Sequence, residues 1–70
     1  MQISARNCLK GTVKSVNVGS VNTEIVLEIA PGIEVVSVIT KASAERLGLA
    51  AGKEAYAVIK ASDVAMAIAD

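Results

Sequence analysis

The 70-residue sequence contains no histidine, no tryptophan and no phenylalanine, and it has one cysteine, one proline and one tyrosine. Each shortage removes a class of protein. A single cysteine, Cys8, excludes a disulfide within the chain. Without histidine, one thiol cannot supply the nitrogen and sulfur ligands of a structural zinc site. A Cys8 nucleophile would also have no imidazole base to activate it. Seven basic and seven acidic residues leave no net charge. That argues against a nucleic-acid binder, which needs a basic footprint, and against a polybasic membrane anchor. One tyrosine gives no stacking platform for bases. No apolar run approaches the ~18 residues of a spanning helix. Arg6, Asn7 and Lys10 stand where a signal peptide would need its apolar stretch, so the sequence reads as cytoplasmic.

What is present is apolar bulk: 53% of the residues are hydrophobic. Seventy residues make one domain, spanning residues 1–70. A core of this size supplies only about 3–5 kcal/mol, and small domains need a staple. With disulfides and zinc removed, oligomerisation is the staple left, and other copies should cover part of the apolar surface.

Glycine and proline divide the chain into five segments. The first runs from Ile3 to Val18, and its apolar parity changes near Lys14–Ser15, which predicts a bulge or bend in one long strand. Gly19–Ser20 forms a turn. From Val21 to Ile29, Val21, Thr23, Ile25, Leu27 and Ile29 alternate with Asn22, Glu24, Val26 and Glu28, the period of a half-buried strand. Ala30-Pro31-Gly32 has the signature of a type II turn. Ile33 to Ile39 is a β-branched third strand. Thr40 to Gly48 reads as a short helix with Thr40 as N-cap, or Ser43 as the cap of a shorter turn, and Gly48 as its stop. Glu54 to Ala61 is a fourth strand. Val64 to Ala69 is a fifth, although its alanines also permit helix. Three strands, a helix and two strands is the order of the five-stranded OB-fold, a Greek-key β-barrel; a small SH3-like barrel is the alternative.

The acids Glu24, Glu28, Glu34, Glu45, Glu54, Asp63 and Asp70 are dispersed and make neither a metal site nor an acid–base pair, so the chain does not read as an enzyme. The glycines are isolated turn residues, not a phosphate loop. What remains is a set of small donors: Ser4, Ala5, Arg6 and Asn7 at the opening, Thr40 and Ser43 at the strand–helix junction, and Lys60, Ala61 and Ser62 after the fourth strand. Singly, these are terminal polar groups, helix caps and surface charges. Together they describe an anion site. Arg6 and Lys60 would balance a dianion, and hydroxyls and backbone N–H groups would complete its shell. Hydrogen bonds to a charged group contribute about 1.5–3 kcal/mol each, so four to six would reach the ~8 kcal/mol of a micromolar complex.

The opening I-S-A-R-N-x-L-x-G-x-V, Ile3 to Val13, resembles that of the molbindins, or Mop proteins. These are stand-alone molybdate-binding modules related to the TOBE domain. The likeness continues through Val26–Ile29, Ser37–Thr40, Glu45–Leu49 and Lys60-Ala61-Ser62-Asp63-Val64. It implies an all-β, OB-like fold whose N-terminal strand is exchanged between subunits, with pairs assembling into a homohexamer. It also implies that molybdate, and tungstate with it, lies at subunit interfaces as an intact oxyanion. No protein atom then coordinates the metal, and no organic cofactor is called for. By the same likeness, Ser4, Ala5 and Arg6 hold the anion from one subunit, and Thr40, Ser43, Lys60 and Ala61 from the facing side. A second site would use the Val18-Gly19-Ser20 loop. Asn7 would shape the turn and Cys8 would be a small core residue. Val26, Val36 and Val38 would bury against neighbouring subunits, and Tyr56 in core or interface. Storage of molybdate is the role this implies; the alternative is an oxyanion-sensing regulatory module acting on a partner protein.

Overall fold

The computed structural model describes residues 1–69. Strands β1 (Asn7–Val18), β2 (Asn22–Ala30) and β3 (Ile33–Thr40) are followed by helix α1 (Lys41–Leu47), strand β4 (Glu54–Ile59) and a 3-10 turn at Ala61–Asp63. The strands form one antiparallel sheet in the order β3-β2-β1-β4. The helix sits between the third and fourth strands, as the sequence order predicts.

β1 is bent where the parity changes. Val13 faces Leu27 and Ser15 faces Val26, so Lys14 is the extra residue of a bulge. At this point the chain also grips the loop before β4: the Val13 N–H donates to the Lys53 carbonyl and the Gly52 N–H to the Val13 carbonyl, both at 2.8 Å. The first half of β1 therefore pairs with β4 and the second half with β2. Pro31 and Gly32 turn β2 into β3, with Gly32 at φ 77°, where a glycine is favoured.

Val13, Ile25 and Leu27 are the buried core, with Val16, Ile29, Ile39, Leu49, Ala55 and Ala57 packed around them. This is a thin core, and large apolar residues lie outside it. Val36 and Val38 on β3 are 61% and 64% exposed. On the same outward face, Lys14 reaches across to Glu34, and this hydrogen bond and the Glu34 charge hold the Lys14 amine above its usual pKa. Glu34 lies directly opposite Glu28, a like-charged pair that Lys14 offsets. Lys10 and Glu54 form an exposed ion pair at 3.2 Å, a class that contributes little to stability.

Two expectations need correction. Cys8 is exposed, because it pairs with Val58 on the parity opposite Leu9, Gly11 and Val13. Val64–Ala69 makes no strand: β4 stops at Ile59, and the 3-10 turn, closed by Asp63 N–H to the Lys60 carbonyl at 2.9 Å, leads the chain off the sheet. The described sheet therefore has four strands, not five. β1 bonds on both sides within its own chain.

Thr23 shares the core face with Ile25 and Leu27 and is 1% exposed. Among the described residues its hydroxyl has no hydrogen-bond partner. A buried hydroxyl left unpaired costs about 1–3 kcal/mol. Thr23→Val, which replaces the hydroxyl by a methyl of the same shape, should therefore raise stability by about 1 kcal/mol and the Tm by about 4–8 °C. A fall in Tm on thermal unfolding would show that the hydroxyl finds a partner in solution.

Candidate anion-binding site

The two ends of the β1–β4 pair build one pocket. Asn7 opens β1 opposite Ile59, the last residue of β4. Its side-chain amide donates to the Ile59 carbonyl at 3.3 Å, across 52 residues of sequence. That bond ties the segment before β1 to the segment after β4. Ser4, Ala5 and Arg6 consequently face Lys60, Ala61 and Ser62 around a pocket of about 290 Å³.

The lining carries two cations, two hydroxyls and no carboxylate. Among the described residues, neither Arg6 nor Lys60 is held in an ion pair. Arg6, Lys60, Ser4 and Ser62 are all exposed, so their donors are open to a ligand. Planar Arg and compact Lys groups beside small hydroxyls suit a compact oxyanion. Ser62, one of the small donors grouped in the sequence but given no role by the resemblance, lines the pocket beside Lys60 and Ala61.

Thr40 and Ser43 are not in this pocket. Thr40 ends β3 opposite Asn22, beside the far end of β1, where Val18 faces Thr23. The pocket of Arg6 and Lys60 lies at the beginning of β1. Thr40 caps helix α1: the Ser43 N–H donates to the Thr40 Oγ1 at 3.1 Å, and the Thr40 hydroxyl donates to the Ser43 Oγ at 2.9 Å. The Ser43 hydroxyl proton is left to donate elsewhere. Gly48 closes the helix in the left-handed conformation, bonding back to the Ala44 and Glu45 carbonyls. Loss of the cap in Thr40→Ala should cost about 1 kcal/mol. Urea unfolding checks this, with Thr40→Ser retaining most of the stability.

The Val18-Gly19-Ser20 loop is the β1–β2 hairpin turn. Its Gly19 N–H already donates to the Asn22 carbonyl at 2.8 Å, so that donor is committed to the turn. Val18, Gly19 and Ser20 are all exposed.

The TOBE domain model matches residues 3–66. The chain belongs to the TOBE-domain family, among its small Mop proteins. It is 55% identical over 64 residues to molybdenum-pterin-binding protein 3 of Clostridium pasteurianum, covering 91% of this chain and 94% of that one. The solved structure of MopII from the same organism superposes with a TM-score of 0.88 at 46% identity, covering 96% of this chain and 100% of MopII. The cytoplasmic molybdate-binding protein ModG, solved with molybdate bound, matches with a TM-score of 0.83 and 48% identity, over 87% of this chain and 43% of ModG. These Mop relatives place the curled four-stranded sheet and its helix among OB-like folds.

Proposed function

We propose that this Mop protein binds molybdate, and tungstate equally, as an intact tetrahedral oxyanion, and that it stores the anion in the cytoplasm without catalysis. The observation that carries the reading is the pocket itself: Arg6 and Lys60 meet across the fold beside two serines, with no acid in the lining. ModG, described as a cytoplasmic molybdate-binding protein, supports both ligand and compartment. Among the described residues, no helix is long and apolar enough to cross a membrane. The ligand is the bare anion. Relatives are named for a molybdenum-pterin, but the pocket lining has no aromatic wall for a pterin ring. Nucleic acid and membranes are not partners on this reading.

Seven residues then hold the anion: Ser4, Ala5 and Arg6, with Lys60 and Ala61, in one copy, and Thr40 and Ser43 from another. The separation of the two groups along β1 is what calls for the second copy. Pairs of chains would form a hexamer, each chain being a single binding module. Val18, Gly19 and Ser20 remain candidates for a further site between copies. A second reading, a sensing module acting on a partner protein, draws support from the molybdenum transport protein ModE of Azotobacter vinelandii, which is 47% identical over 64 residues that make up 24% of its length.

Calorimetric titration with molybdate in sulfate buffer tests the proposal. Sulfate is the smaller anion, and a fixed cage of donors rejects it by size. Saturable binding that survives excess sulfate is expected. Absence of heat at all concentrations would mean that the Ser4–Asn7 motif serves the fold alone.

A further inference from the structure

Asn7 stands between the anion pocket and the sheet. It shares the inward parity of Leu9, Gly11 and Val13 and is half-buried. The β1–β4 ladder begins at its pairing with Ile59. Beyond that pair, no backbone hydrogen bond among the described residues joins Ser4–Arg6 to Lys60–Ser62. The Lys60 and Ala61 carbonyls bond locally, to the N–H groups of Asp63 and Val64. No ion pair among the described residues crosses the pocket. The two banks of the pocket are therefore the end of a two-stranded ladder, where fraying costs least. One side-chain bond opposes fraying: the Asn7 amide donates to the Ile59 carbonyl at 3.3 Å. Arg6 and Lys60 are the next residues outward on either bank, so this bond fixes the spacing from which both cations reach.

Spacing matters because molybdate and sulfate carry the same charge. Coulomb attraction falls only as the inverse of distance, so two cations alone hardly tell the anions apart. Hydrogen bonds do, because the N–H···O distance is confined to about 2.7–3.2 Å. A cage of donors selects by size only while its banks cannot close on the smaller anion. Asparagine suits the task, since its amide can donate to a carbonyl. Aspartate, of the same shape, is acceptor-only when ionised and would face the Ile59 carbonyl with no proton between them.

We propose that Asn7 is a positioning residue that sets the anion selectivity of the pocket: its clasp on Ile59 holds the Arg6 and Lys60 banks at molybdate spacing and keeps them from closing on sulfate. Asn7 is not among the residues lining the pocket, so it acts through its neighbours. The inference rests on the molybdate reading of this pocket.

Calorimetric titration with molybdate at a series of sulfate concentrations gives the affinity for both anions. It would be run on the wild type, Asn7→Leu, Asn7→Gln and Arg6→Ala. Leucine fills much the same space with no donor. Asn7→Leu should bind molybdate about 10-fold more weakly and sulfate as well as the wild type or better, so the selectivity ratio should fall about 10-fold or more. Asn7→Gln keeps the amide on a longer stem and should recover much of the ratio. Arg6→Ala removes charge and not spacing, so it should weaken both anions alike and leave the ratio near the wild-type value. Far-UV circular dichroism checks that each variant is folded, and Asn7→Ala, which adds no bulk, gives the same comparison should leucine disturb the fold. An unchanged ratio in the folded variants without the amide would overturn the proposal and leave molybdate binding intact. So would an equal loss of ratio in Asn7→Gln and Asn7→Leu, which would mean that the amide is not what holds the banks. A wild type that binds neither anion would refute the molybdate reading and this inference with it.

Discussion

Arg6→Ala should lower molybdate affinity by about 10- to 100-fold, the consequence of losing about 1.5–3 kcal/mol of charge-assisted hydrogen bonding. Lys60→Ala should do the same. The two cations enter the pocket from opposite ends of the chain, and no other charged group lines it. Removing one leaves a dianion facing a single positive charge, with desolvated oxygens short of a donor. Arg6→Lys retains the charge and loses the planar fork, so it should fall between wild type and alanine. Both residues are exposed, so stability should scarcely change, and the loss should appear in calorimetric affinity and not in the melting temperature. Arg46→Ala, in the last turn of α1 and outside the pocket, is the control and should bind as wild type. Equal affinities in all three alanine variants would show that the anion binds elsewhere.

The separation of these cations from Thr40 explains why the site was only half legible. The joining of Ser4–Arg6 to Lys60–Ser62 follows from antiparallel pairing of β1 with β4, and each segment carries its donors in a short, readable cluster. Thr40 and Ser43 are equally readable as donors, but their local duty as a helix cap is satisfied within the chain. Nothing in their spacing says which copy they face. The fold shows the same division. The bulge at Lys14 was visible because one inserted residue reverses the parity of all that follows, and Pro31–Gly32 because a tight turn demands those torsions. Cys8 was misplaced because it sits next to Leu9, so apolar character alone does not decide which of the two turns inward. Val64–Ala69 was misjudged for another reason. Alternation specifies a strand's shape but not its partner, and this chain pairs its strands without using that segment.

Gly11→Ala should be strongly destabilising. A Cβ at Gly11 would stand 2.5 Å from the Glu28 carbonyl oxygen and 3.0 Å from the Leu27 Cγ. The conflict is one of space and not of torsion, since Gly11 is not among the glycines with positive φ. A flexible side chain could swing aside, but the Glu28 carbonyl belongs to the backbone of β2. Its residue is paired on one side with Thr12 and on the other with Glu34. Relief would require β1 and β2 to separate beside the bulge, where Val13 enters the core. Overpacking costs about 1–3 kcal/mol even when side chains can adjust, so about 3 kcal/mol is expected here. A core of this size supplies only about 3–5 kcal/mol. Gly11→Ala should therefore be largely unfolded by circular dichroism unless association with other copies holds it together. Gly48→Ala is the informative comparison: nothing lies within 4 Å of its added Cβ, and its cost is only that of a left-handed torsion at φ 64°, about 1–2 kcal/mol. If Gly11→Ala proved no more harmful than Gly48→Ala, β2 would have to yield where its two-sided pairing says it is fixed. The close approach of β1 to β2 would then not be what sets the bend at Lys14.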